Sequence, residues 1–130
     1  MVLVDTSVWV DYFNGVRTPQ SEWLDRLIGS GRLLTGDLIL VELLQGFSTE
    51  KDYRTARKLL LELPCAELVG REGALVAADY YRRLRKLGVT VRKTIDLLIG
   101  AYCIQHGHEL LHADKDFDPM QQHLGLRILQ

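Results

Sequence analysis

The sequence has only two cysteines and three prolines, and no apolar run approaches the length of a bilayer span. Each shortage excludes something. Cys65 and Cys103 stand far apart among core-type residues with no CxxC spacing, so neither a zinc site nor a disulfide framework is expected, and both read as reduced, buried thiols. A membrane helix needs about 20 consecutive apolar residues, so no membrane partner is expected. The start Met1-Val2-Leu3-Val4-Asp5 lacks a basic region and meets an acid after three apolar residues, unlike a signal peptide, which leaves a cytoplasmic location as the expectation. Net charge is −1, without the basic excess typical of proteins that coat nucleic acids. Positive charge is instead local: Arg82, Arg83, Arg85, Lys86, Arg92 and Lys93 hold six of the sixteen basic residues within twelve positions. That segment is either a surface facing phosphates or a solvated helix face followed by a charged turn.

What is present suits one domain spanning residues 1–130. A chain of that length can bury roughly two thirds of its unfolded surface, and 47% hydrophobic with 25% charged residues is an ordinary globular balance. Val2 to Val4 reads as a buried strand with Asp5 at its carboxyl end. Helices follow at Ser7 to Phe13, stopped by Asn14-Gly15, and from Thr18 or Pro19 to Ile28. Arg32 to Thr35 is a strand, and Asp37 is placed to N-cap a helix from Leu38 to about Gly46. Further expectations are a helix over Lys51 to Leu61, a strand-like stretch over Pro64 to Val69, and a helix over Glu72 to Leu87 spaced by Leu75, Val76, Ala78, Tyr80 and Leu84. Thr94 is placed to cap a helix reaching Gln105, Glu109 to His112 is a strand, Asp114 to His123 is a loop and short helix, and Leu126 to Leu129 is a last edge strand. Short strands alternating with helices predict βαβ units, hence an α/β fold: a three-layer α/β/α sandwich around a mainly parallel sheet.

Most acids lie among polar neighbours, but four do not. Asp5 and Asp114 each follow an apolar strand, which puts both at the carboxyl edge of a parallel sheet, where open α/β folds bind ligands. Glu42 sits in Leu38-Ile39-Leu40-Val41-Glu42-Leu43-Leu44, apolar nearly all round and therefore expected to be buried. Asp96 falls in the first turn of another apolar helix, where the helix dipole favours an anion while the neighbours exclude water. Taken singly, each has an ordinary explanation: a strand-end cap, a buried ion pair, a helix-start charge, a turn former. Together they repel one another unless cations intervene, and such oxygen-rich pockets suit Mg2+ or Mn2+. The matching chemistry is phosphoryl transfer, in which one ion lowers the pKa of a water and a second, roughly 4 Å away, stabilises the leaving oxygen.

The segments Val4-Asp5-Thr6-Ser7-Val8, Val41-Glu42-Leu43, Thr94-Ile95-Asp96-Leu97-Leu98-Ile99-Gly100-Ala101 and Leu111-His112-Ala113-Asp114-Lys115-Asp116-Phe117 resemble, in order and nearly end to end, the motifs of PIN-domain ribonucleases of the VapC toxin type. The resemblance implies a PIN-like fold, an endoribonuclease acting on an RNA substrate, a cognate antitoxin that inhibits it, and a homodimer. It also implies that Asp5, Glu42, Asp96 and Asp114 form the catalytic and metal-binding set for one or two Mg2+ or Mn2+ ions. Asp5, Asp96 and Asp114 would hold metal directly or through water, while Glu42 would do so through water or help deprotonate the nucleophile.

Three residues are auxiliary. Asp116 is either a further acid or a helix N-cap before Phe117, and Thr6 either positions Asp5 or a water, or caps its helix. His112 departs from the Thr or Ser common at that place in the family. It either meets a metal-bound water or phosphate, making activity pH-sensitive, or serves as a structural strand-end residue, while His106, His108 and His123 are expected on the surface. The first helix carries Trp9, Val10, Tyr12 and Phe13, which calls for an interface partner or complete burial. Two other classes compete with the nuclease. A receiver-like or phosphatase-like domain needs a late lysine, for which Lys115 between two acids is poorly suited, and a non-catalytic PIN-like module would be expected to have lost one of the four acids.

Overall fold

A computed structural model describes residues 1–129. Five strands, β1 (Val2–Val4), β2 (Leu33–Gly36), β3 (Cys65–Ala66), β4 (Glu109–Leu111) and β5 (Arg127–Ile128), form one sheet in the order β3-β2-β1-β4-β5, and every neighbouring pair is parallel. β1 is central and wholly buried, as a strand covered on both faces must be. The connections are helical: α1 (Thr6–Phe13) and α2 (Pro19–Leu27), then α3 (Asp37–Leu44) and α4 (Glu50–Leu61), then α5 (Gly70–Lys86) and α6 (Thr94–His106), and finally a 3-10 turn (Lys115–Phe117) with α7 (Asp118–Leu124). The chain moves from β1 towards β3 and later from β4 to β5 in the opposite direction. Right-handed crossovers therefore put α1 to α4 on one face and α5 to α7 on the other. The packing agrees, α1 lying on α2 and α3 and α5 on α6 and α7, so the α/β/α sandwich is present.

Local chemistry sets several boundaries. Thr18 and Ser21 form a reciprocal capping box at the start of α2, with Pro19 in its first turn. Gly107 ends α6 in the left-handed region (φ 71°), a conformation glycine takes without steric cost. Other boundaries correct the sequence reading. Gly36, not Asp37, caps α3, and Asp37 instead accepts the amides of Leu38 and Leu68. Lys93, not Thr94, stands at the cap position of α6. The strand expected over Pro64 to Val69 shrinks to Cys65–Ala66 at the sheet edge, which leaves Cys65 exposed rather than buried, while Cys103 is buried as expected and its thiol is pushed up to about 12. In α5 the core face carries Ala77 and Leu84, whereas Leu75 is 67% exposed.

α3 is the larger surprise. Only Ile39 and Leu43 are buried, and Val41 is 61% exposed, so a helix apolar nearly all round lies on the outside of the sandwich. In α1, Trp9 is fully buried and stacks on Phe13, which in turn meets Phe47 edge-on, so the aromatics find partners within the chain while Val10 stays 41% exposed. His108 is half-buried and stacked on Tyr102 rather than free on the surface.

Candidate active site

The direction of travel through the sheet reverses between β1 and β4, and a crevice at the carboxyl ends of such strands is where open α/β sheets bind ligands. Asp5 follows β1 and Asp114 follows β4 after His112 and Ala113. The register that pairs Val4 with Leu111, and the bond from the Asp5 amide to the Leu111 carbonyl (2.9 Å), bring these two strand ends side by side. α6 starts beside them and carries Asp96 in its first turn. Three carboxylates meet there: Asp96, Asp114 and Asp116 can each present an oxygen within 4.8 Å of the others.

Asp5 is buried and caps α1. Its Oδ2 accepts the Ser7 amide (3.0 Å) and the Ser7 hydroxyl (2.6 Å), and Ser7 Oγ in turn accepts the amide of Ala113 (3.0 Å). Ser7 thus clips the end of β1 to the end of β4. Sequence reasoning passed over this residue, and the Asp-x-Ser spacing of an N-capping acid was its available signal. Burial raises the carboxyl pKa of Asp5 above the ordinary value, and the Ser7 bonds and His112 oppose that rise.

Asp96 is 5% exposed, and its Oδ2 is buried without a hydrogen-bond partner among the described residues. Its pKa is raised to about 7, chiefly by burial, then by the charges of Asp5 and Asp114, with Lys93 opposing and Asp116 adding to the rise. An unpartnered carboxylate oxygen among further acids is what a hard divalent cation would satisfy, so the donor set fits Mg2+ or Mn2+. Lys93 brings a positive charge to the group, its Nζ lying 3.7 Å from Asp114 Oδ2. Its place between Arg92 and Thr94 marks it in the sequence only as a surface charge.

Glu42 lies outside the tight group, linked to Thr6, the residue that follows Asp5. It is half-buried on α3, not enclosed, and its Oε1 accepts the Thr6 hydroxyl at 2.9 Å. Thr6 therefore orients Glu42, not Asp5. Asp114 is the residue that caps the 3-10 turn, by accepting the Asp116 amide (2.9 Å), so the N-cap reading of Asp116 is corrected and its carboxylate joins the acid group. His112 is half-buried against Phe117, and its Nδ1 accepts the Asp114 amide (3.1 Å), which requires that nitrogen to be unprotonated. Burial lowers its pKa, while Asp5, Asp118 and Asp114 pull it up.

Comparison with known proteins places this arrangement. The family model of the PIN domain matches residues 2–121. A VapC ribonuclease of Mycobacterium bovis, Mb1587, and ribonuclease VapC11 of Mycobacterium tuberculosis are each 34% identical to this chain over 120 residues, covering 91% of it and 90% of the relative. Among solved structures, VapBC2 from Rickettsia felis, crystallised with a DNA fragment from its promoter, superposes with a TM-score of 0.77 at 16% identity over 99% of this chain and 98% of that one. The sarcin-ricin-loop-cleaving toxin VapC20 of Mycobacterium tuberculosis does so with a TM-score of 0.64 at 17% identity over 91% and 93%. At those identities the structural likeness speaks for the fold, while the family match and the closer relatives speak for descent. The chain belongs to the PIN domain family.

Proposed function

We propose that this protein is a metal-dependent endoribonuclease and the toxin of a toxin–antitoxin pair, with Asp5, Asp96 and Asp114 holding one or two Mg2+ or Mn2+ ions. The observation that carries this reading is Asp96 Oδ2, buried without a partner among the described residues, in the carboxylate group with Asp114 and Asp116. A polar group hidden in this way costs about 1–3 kcal/mol unless something meets it. The bound ion would activate water and neutralise charge developing on the phosphate. The side chains do the rest: Ser7 fixes Asp5 towards the crevice, Thr6 fixes Glu42 where it can accept a proton from the attacking water, and Asp116 is an auxiliary acid beside Asp114. His112 holds the turn that carries Asp114 through that residue's amide.

An antitoxin partner is supported by the solved relatives described as VapBC complexes, and a homodimer by the family alone. An RNA substrate implies a cytoplasmic location, and no described helix is long and apolar enough to cross a membrane.

The deciding experiment is cleavage of labelled total RNA by the purified chain with Mg2+, Mn2+ or EDTA, beside Asp5→Asn and Asp96→Asn. Metal-dependent cutting lost in both variants, leaving 5′-phosphate and 3′-hydroxyl ends, is the expected result. Cutting that survives EDTA or both substitutions, or cyclic phosphate ends, contradicts it.

A further inference from the structure

The basic cluster takes a definite place in the fold. Arg82, Arg85 and Lys86 share one face of α5 by their three- and four-residue spacing, are exposed, and line a groove of roughly 340 Å³. None of the three pairs with a carboxylate among the described residues, and Arg83 departs from them to lie over the Tyr80 ring, 5.6 Å from its centroid. Residues 87–93 then join α5 to α6, and so short a connection makes the packed helices antiparallel. The C-terminal turn of α5 therefore lies at the same end of the sandwich as the first turn of α6, which carries Asp96. Arg92 and Lys93 bridge the interval, and Lys93 is close enough to pair with Asp114.

From this placement we propose that the last turn of α5 and the connection into α6 form a phosphate-binding rail, along which single-stranded RNA is held as it enters the acidic crevice. The inference rests on the ribonuclease reading and names the surface that the reading leaves open. Charge argues for the occupant. A polyanion approaching Asp5, Asp96, Asp114 and Asp116 is repelled, so an enzyme that must draw a nucleic acid to such a cluster needs cations on the approach. Arg82, Arg85 and Lys86, unpaired among the described residues, stand on the turn that leads towards it, and Lys93 reaches it by pairing with Asp114. An acidic protein segment would suit the groove equally well but would gain nothing from that continuity.

The test is fluorescence-anisotropy titration of a labelled single-stranded RNA of mixed sequence, long enough to span rail and crevice. It is run in EDTA so that the RNA stays intact, between roughly 50 and 200 mM salt. The variant is Arg82→Gln/Arg85→Gln/Lys86→Gln, with thermal melting to verify the fold. The control removes three exposed charges from α4 as Lys51→Gln/Arg57→Gln/Lys58→Gln. Each phosphate contact to a single strand contributes about 0.7 to the slope of log affinity against log salt, so the variant should lose about 2 from that slope and the control almost nothing. A slope unchanged in the variant, or lowered equally in the control, overturns the rail. Loss of binding to a poly-glutamate peptide with RNA binding intact also overturns it, by assigning the groove to an acidic protein. If the unmodified chain binds and cuts RNA while the variant binds equally well, the rail alone is wrong; if the unmodified chain does neither, the ribonuclease reading falls first.

Discussion

Thr6 Oγ1 donates to Glu42 Oε1 at 2.9 Å, tying the first residue of α1 to the last turn of α3. Glu42 has a half-solvated position and, among the described residues, no other side-chain bond to hold it, so its orientation depends on that hydroxyl. If Glu42 works on the attacking water, Thr6→Val and Glu42→Gln should each cost ~10²-fold or more in kcat, the usual scale for a positioned acid or base. The double variant should be little worse than Glu42→Gln alone, and Thr6→Ser should stay active. Losses that multiply in the double variant would mean that the two residues act separately.

Asp96 should make the metal-free protein resent alkaline pH. Its folded pKa is raised to about 7 from 3.8, chiefly by burial, so the unfolded chain releases this proton more readily than the folded one. The penalty is absent below about pH 4, grows between 4 and 7, and is complete above 7, which is the reverse of the usual paired carboxylate. Asp96→Asn should therefore raise the metal-free Tm at pH 8 by roughly 5 °C or more, with the gain fading by pH 5. His108 and His112, whose lowered pKa values weaken the fold below about 6.5, act alike in both proteins and cancel in the comparison. Added Mg2+ should reverse the order at pH 8, since an ion that binds only the folded carboxylates stabilises the parent chain. A gain from Asp96→Asn that is equal at both pH values would contradict this account.

How far the sequence discloses this site depends on how local each signal is. The apolar run before Asp5, the apolar helix around Asp96 and the strand before Asp114 mark three carboxylates by contrast with their own neighbours; Asp96 and Asp114 meet, joined by Asp116, and Asp5 is near enough for its charge to act on Asp96. Glu42 stands out in the same way, but the burial its neighbours suggest is only partial. Its helix is apolar nearly all round, yet α3 fully buries only Ile39 and Leu43, with Leu38, Leu40 and Leu44 half-buried against the core and Val41 exposed, because a helix on the outer layer has one inner face. Asp37 looks like a cap, but its carboxylate is also taken by the distant Leu68 amide. Lys93 looks like surface charge until packing of the 3-10 turn against α6 brings Asp114 to it. Tertiary partners of this kind leave no trace in residue spacing.

The start of α3 depends on a close approach at Gly36. Gly36 ends β2 and caps the helix with φ −140°, a conformation open to any residue, so its need for glycine is spatial and not conformational. A Cβ placed there would lie 2.5 Å from Leu68 Cδ1 and 2.6 Å from Leu68 Cγ, and Leu68 is itself 2% exposed with little room to retreat. Overpacking of this kind typically costs about 1–3 kcal/mol. Gly36→Ala should accordingly lower the denaturation midpoint without changing the slope of the transition. Shortening the neighbour in Gly36→Ala/Leu68→Ala should recover part of what the two single changes lose separately, because the added methyl fills space that the leucine vacates. If the two losses simply add, the close approach of Leu68 to Gly36 is not what requires glycine at the start of α3.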